Sequence, residues 1–306
     1  MCTSITIANA QQQPLLARTM DFPTTSPWLP IYLPKKRRYT PATETVSRQI
    51  RYAFLGGGRQ VAANTYLMAD GVNEAGLACA ELYFPFEATY HPKNQPQRLN
   101  LSPQDFITWV LGEHASIAAV AADLPNIALV SATWHQLNKL YPYHWVFTDP
   151  TGATAVLELR SLTLRLQPSP LGVLTNTPNL PRHAANLAVL LGLAKTSPIT
   201  ALQQAAQAFK GPLPTGTIPT TRFLKAAILK AQLPRTFSTT DLFHILDQVI
   251  IPKTDGAHLR NHDYTHYEMC LNTTTRTYTF HDLNSDRWQH LSLVDYEHIS
   301  REIVFN

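Results

Sequence analysis

Met1-Cys2-Thr3-Ser4-Ile5-Thr6-Ile7 opens the chain with alternating polar and apolar residues, the two-residue period of a half-buried strand. Asn9, Ala10 and three glutamines make a turn, and Pro14-Leu15-Leu16-Ala17-Arg18-Thr19-Met20-Asp21-Phe22 returns as a second strand. The chain is therefore expected to begin inside a sheet, where most chain ends fray. An antiparallel hairpin of this kind lays Arg18 and Asp21 beside position 2.

Downstream, runs bounded by turn residues predict further strands at 66–68, 77–84, 144–147 and 155–159. Helices follow. Ser102-Pro103-Gln104-Asp105 supplies an N-cap, a first-turn proline and an early carboxylate. Ser116 caps a second helix that stops at Pro125. Apolar residues at helical spacing mark 187–193 and 223–233, and Thr239-Thr240-Asp241 opens a further helix. Strands return at 267–271, 277–280 and 291–294. Strands, helices, then strands predict an α+β layered fold rather than βαβ repeats. With no repeat or linker in view, residues 1–306 are read as a single domain.

The 306 residues are 44% hydrophobic and 15% charged, with a formal net charge of +4. This composition supports a full core and excludes a disordered chain. The charge is too small for a nucleic-acid-binding face, and Lys35-Lys36-Arg37-Arg38, within a Pro-rich stretch, is read as a solvated loop. Cys2, Cys79 and Cys270 are too few and too scattered for a disulfide framework. No apolar run reaches the ~18 residues of a membrane helix, and no signal peptide is visible. The expectation is a cytoplasmic protein.

Cys2 carries the chemistry. Removal of Met1 would leave a free α-amine on the same residue as a thiol. An α-amine with a reference pKa of about 8 can accept the thiol proton, so nucleophile and base share one residue. Arg18 would lower the thiol pKa, and Asp21 can hold the amine. Cys79 and Cys270, in apolar strands, read as core residues.

The start Met1-Cys2-Thr3 and the segment Arg18-Thr19-Met20-Asp21-Phe22 resemble the opening of the choloylglycine hydrolase family, the bile salt hydrolases and penicillin V acylases. Asp70-Gly71-Val72-Asn73-Glu74-Ala75-Gly76-Leu77, Thr175-Asn176-Thr177-Pro178 and Thr221-Arg222-Phe223 are similar to its later blocks, in family order. The resemblance implies a four-layer αββα sandwich of two antiparallel sheets, the N-terminal nucleophile hydrolase fold, with no cofactor. It implies catalytic roles for Cys2, Arg18, Asp21, Asn176 and Arg222. Asn176 would share the oxyanion with the backbone N–H of Tyr83. Met20, Phe22 and Tyr83 would line the substrate pocket. A homotetramer is implied by the family alone.

The expected substrate is a small N-acyl amide. Position 83 leans the reading toward a penicillin V acylase, since the family's bile salt hydrolases usually carry asparagine there. Bile salts and N-acyl-homoserine lactones stand as alternatives, as does a non-catalytic binding protein on the same fold. His258, His262 and His266, four residues apart, suggest a zinc hydrolase only on a helix, and Gly256, Asn261 and Asp263 disfavour one. Gly56-Gly57-Gly58 is read as a flexible turn near the pocket mouth.

Overall fold

A computed structural model describes residues 2–23, 26–135, 139–253 and 263–306. The opening hairpin forms as the alternation requires. Cys2–Ala8 pairs antiparallel with Pro14–Phe22, with Cys2 opposite Met20 and Ser4 opposite Arg18. The returning strand is buried along its whole length because it is central in its sheet. That sheet has six strands, in the spatial order Val173–Leu174, Cys2–Ala8, Pro14–Phe22, Tyr264–Asn272, Thr277–Asp282 and Arg287–Ser292.

A nine-stranded sheet lies against it. Its order is Gln167–Pro168, Thr154–Leu157, Tyr143–Thr148, Ala78–Tyr83, Asp70–Asn73, Phe54–Ala62, Leu29–Leu33 and Ile303–Val304, with Thr65–Met68 also paired to Phe54–Ala62. Every pairing recorded within these two sheets is antiparallel.

Side-chain alternation divides the core into three layers. Leu16, Met20 and Phe22 face the gap between the sheets, where they meet Leu55, Val72, Ala80 and Leu82. Leu15 and Ala17 face the other way, against Leu187, Phe223, Phe243 and Leu246 of the helices Leu180–Leu190, Pro219–Ala231 and Thr239–Asp247. The helix Pro103–Glu113 covers the far side of the second sheet through Phe106, Trp109 and Val110. The result is the expected helix–sheet–sheet–helix stack.

Several local expectations need correction. Gly56, Gly57 and Gly58 are not a turn: they lie inside the strand Phe54–Ala62. A Cβ on Gly56 would come within 1.9 Å of the Asp70 carbonyl oxygen, and one on Gly57 within 2.4 Å of the Tyr267 hydroxyl. The glycines admit close neighbours rather than a bend. The helix expected at 187–193 begins at Leu180, where the Asn179 side chain accepts from the Arg182 N–H and Pro181 sits in the first turn. Apolar spacing alone overlooked that cap. The helix Ile199–Ala208 went unread, and the strand expected at 291–294 ends at Ser292.

Of the three histidines weighed as zinc ligands, His258 and His262 lie outside the described residues. His266 lies in the strand Tyr264–Asn272, where its Nε2 bonds the Phe22 carbonyl at 2.9 Å. Among the described residues no helix is long and apolar enough to cross a membrane.

Candidate active site

The site is built around the first strand, which two buried arginines grip from opposite sides. Arg18 shares the gap-facing side of its strand with Leu16 and Met20. Its Nη2 donates to Cys2 Sγ at 2.8 Å, and its Nη1 donates to the Ala69 carbonyl of the other sheet at 2.7 Å. Nη1 also lies 3.5 Å from Asp70 Oδ2. Burial pulls the Arg18 guanidinium down, but the charges of Cys2, Tyr267, Asp70 and Glu81 outweigh it and the net shift is upward. The cation beside the sulfur is permanent.

Arg222 comes from the helix Pro219–Ala231 on the other side. Its Nη1 donates to the Cys2 carbonyl and to Thr3 Oγ1, both at 2.6 Å, and its Nη2 donates to Asn176 Oδ1 at 2.8 Å. Asp21 Oδ2 lies 3.5 Å from Nη1, while Asp21 Oδ1 accepts from Thr265 Oγ1 at 2.6 Å. Asp21 is fully buried, and Arg222 and Thr265 compensate its charge.

Asn176 ties the two halves together. The Cys2 nitrogen donates to Asn176 Oδ1 at 2.7 Å. Two donors on one atom identify that atom as the amide oxygen. The Asn176 Nδ2 then donates to the Tyr83 carbonyl at 2.7 Å, which leaves its second N–H for another acceptor. Phe84 N–H donates to the Pro142 carbonyl and Glu81 N–H to the Ala69 carbonyl. Alternation along the strand aims the Tyr83 N–H away from the neighbour that carries Pro142, on the same side as its own carbonyl and hence toward Asn176. Beside the Asp21 carboxylate expected at the amine, the Asn176 amide oxygen also accepts from the Cys2 nitrogen.

An aromatic cluster adjoins Cys2 and Met20 in the core. Phe22 meets Trp28 and Tyr141, each with ring centroids 5.5 Å apart. Tyr83 is half-buried, and its phenol is pushed up by burial and by the nearby Asp263 and Tyr141. The other two thiols are buried in the core. Burial pushes Cys79 well up and Cys270 up to about 12.

Some supporting residues were not singled out from sequence. Asp70 accepts from Tyr278 and Tyr267 hydroxyls and from the Gly57 N–H, so it anchors Arg18 through groups from both sheets. The block around Asp70 was visible, its role was not. His183 bonds the Asn176 carbonyl at 2.9 Å and stacks on Phe223 at 4.6 Å. No pattern in the sequence flagged it.

This constellation sits in a chain whose residues 2–304 match the family model described as linear amide C–N hydrolases, choloylglycine hydrolase family. The chain belongs to the choloylglycine hydrolase family. It is a linear amide C–N hydrolase. It is 28% identical over 285 residues to a bile salt hydrolase/transferase of Clostridium perfringens, covering 89% of this chain and 86% of that protein. A conjugated bile acid hydrolase of Lactobacillus gasseri is 30% identical over 224 residues, covering 68% of this chain and 70% of that one. The fold matches a C2A mutant of conjugated bile acid hydrolase from C. perfringens, with a TM-score of 0.85 at 23% identity over 100% of this chain and 97% of that one. It also matches a penicillin V acylase from Agrobacterium tumefaciens, with a TM-score of 0.77 at 19% identity over 97% and 87%.

Proposed function

We propose that this choloylglycine hydrolase family member cleaves small N-acyl amides through Cys2, with a flat aromatic acyl group of the phenoxyacetyl kind preferred. The observation that carries the chemistry is the Cys2 environment: sulfur at 2.8 Å from Arg18 Nη2 and nitrogen at 2.7 Å from Asn176 Oδ1. With Met1 removed, that nitrogen is an amine oriented by Asn176. It takes the thiol proton as sulfur attacks the substrate carbonyl carbon. The oxyanion is met by the free N–H of Asn176 and the backbone N–H of Tyr83. Collapse of the tetrahedral intermediate breaks the C–N bond, and the leaving amine takes the proton. Water then attacks the thioester with the same amine as base, releasing the carboxylic acid and restoring the thiol.

The acyl preference rests on Phe22, Trp28, Tyr83 and Tyr141, whose rings offer apolar faces to an aromatic acyl group. A second reading, hydrolysis of conjugated bile acids, is favoured by the names of the relatives at 28–30% identity. The deciding experiment is kcat/KM for penicillin V against glycine- and taurine-conjugated bile salts, on wild type and Tyr83→Asn. Faster turnover of penicillin V, with the ratio shifted by the substitution, supports the first reading. Faster turnover of bile salts establishes the second.

A further inference from the structure

Arg59 is buried, with only 9% of its surface exposed. It lies on the strand Phe54–Ala62, two residues beyond Gly57, and shares the face that looks into the gap between the sheets. Its Cζ lies 5.6 Å from the ring centroids of both Phe22 and Trp28. No hydrogen bond or ion pair of its guanidinium is recorded among the described residues, and Nε is buried without a partner. Burial pulls its pKa down, and only the phenols of Tyr141 and Tyr143 oppose that. Tyr143 is also within electrostatic reach of Cys2. Arg59 therefore stands against the cluster that holds Cys2, Phe22 and Trp28, and no partner for its donors is recorded among the described residues.

Such an arrangement is unfavourable for the empty protein. A buried cation ordinarily has a carboxylate partner or a set of carbonyls. The two aromatic faces offset part of the loss but accept none of the five N–H groups. A planar fork of unused donors above apolar rings matches a ligand with an apolar body and a carboxylate or sulfonate.

We propose that Arg59 is a recognition residue that takes an anionic group of the substrate, while the apolar part lies against Phe22 and Trp28. This rests on the amidase reading above and narrows its substrate class to anionic N-acyl amides. The charge can sit on the acyl part or on the leaving amine, and the test separates them.

Calorimetric Kd values on the Cys2→Ala protein, which binds without turnover, would be compared for three compounds. They are N-(phenoxyacetyl)glycinamide, which is neutral; N-(phenoxyacetyl)glycine, anionic on the amine; and N-(4-carboxyphenoxyacetyl)glycinamide, anionic on the acyl group. One anionic compound should bind about 10- to 100-fold tighter than the neutral one, the range of a charge-assisted bond. Adding Arg59→Gln should bring that ratio near one, and Arg59→Lys should keep part of it. The inference is overturned by ratios within about twofold in the Arg59 protein, by undetectable binding of both anions, or by a preference that survives Arg59→Gln. Turnover of the same compounds by wild type is a separate readout. Its absence counts against the amidase reading, whereas the Kd ratios speak only to Arg59.

Discussion

Among the described residues three arginines are buried, two facing the gap between the sheets and one on the helix side, and they are buried in opposite ways. Arg18 is in contact with Cys2 Sγ, Met20 Sδ, the carbonyls of Thr19 and Ala69, and Asp70. Arg222 holds Cys2, Thr3, Asn176, Thr217 and Asp21. Arg59 meets two aromatic faces, and no hydrogen bond or ion pair of its guanidinium is recorded among the described residues. A partnered buried charge fixes geometry, because every one of its bonds would be lost if the site shifted. An unpartnered one fixes nothing and lowers stability, so its use lies in what arrives. On the proposed reading, the surroundings of Cys2 are assembled in the empty protein, while Arg59 gains its partner from the substrate.

The strongest way to break this contrast is at the sulfur. Cys2→Ala should lower turnover by about 10⁴- to 10⁶-fold, the range for losing a covalent nucleophile. Cys79→Ala and Cys270→Ala should leave kcat within a few-fold and lower stability by on the order of 1 kcal/mol. Equal residual rates in all three would place the chemistry elsewhere.

Next come the cations themselves. Arg18→Met leaves Asp70 buried beside two phenols with no positive partner, and should lower unfolding free energy by about 3–5 kcal/mol. Arg59→Met removes a charge that has no partner to strand. Its lost contact with two rings offsets the gain, so stability should stay within about 1 kcal/mol of wild type. Urea unfolding of both variants checks this, and a loss at Arg59 as large as that at Arg18 would erase the distinction.

Asn176 sharpens the comparison on the catalytic side. Its Oδ1 already serves Cys2 and Arg222, and one N–H stays free for the oxyanion. Asn176→Ala should therefore lower kcat about 10²–10³-fold with little change in KM. A raised KM at unchanged kcat would make it a ground-state contact.

Much of this was legible in the residues. Period-two alternation marked the opening hairpin, and with it the approach of Arg18 to Cys2, while the register came from the structure. The helix caps at Ser102 and Ser116 were read correctly because a cap is local chemistry, and both side chains accept the expected backbone bonds. What remained hidden depends on long-range contact. The glycines at 56–58 look like a turn until the Asp70 backbone and the Tyr267 hydroxyl are seen pressed against them. Arg59 follows them directly, and no local pattern distinguishes a pocket arginine from a surface one. His183 acts through the backbone of a residue seven positions back in a loop.

The mildest test applies the same rule to titration. His183 and His266 are each held down to about 4 by burial, from an ordinary 6.5. Between pH 4 and 6.5 the unfolded chain binds their two protons and the folded chain does not, so their contribution to stability is complete above pH 6.5 and is lost as pH falls. Glu268 has the opposite sign. It is buried, its Oε1 has no hydrogen-bond partner among the described residues, and burial followed by the nearby Asp247 and Asp21 pushes it up to about 8. The folded chain keeps its proton from pH 4.5 to 8 while the unfolded chain releases it, so stability is lost as pH rises through that range. Between pH 6.5 and 8 the two histidines are silent, and Glu268→Gln removes the only one of these three groups still titrating. The stability of wild type relative to this variant should fall by about 1.4 kcal/mol per pH unit there, read from urea midpoints at three pH values. Parallel curves would mean that Glu268 is already ionised in the folded protein, held by His281, whose Nδ1 lies 3.4 Å from its Oε2.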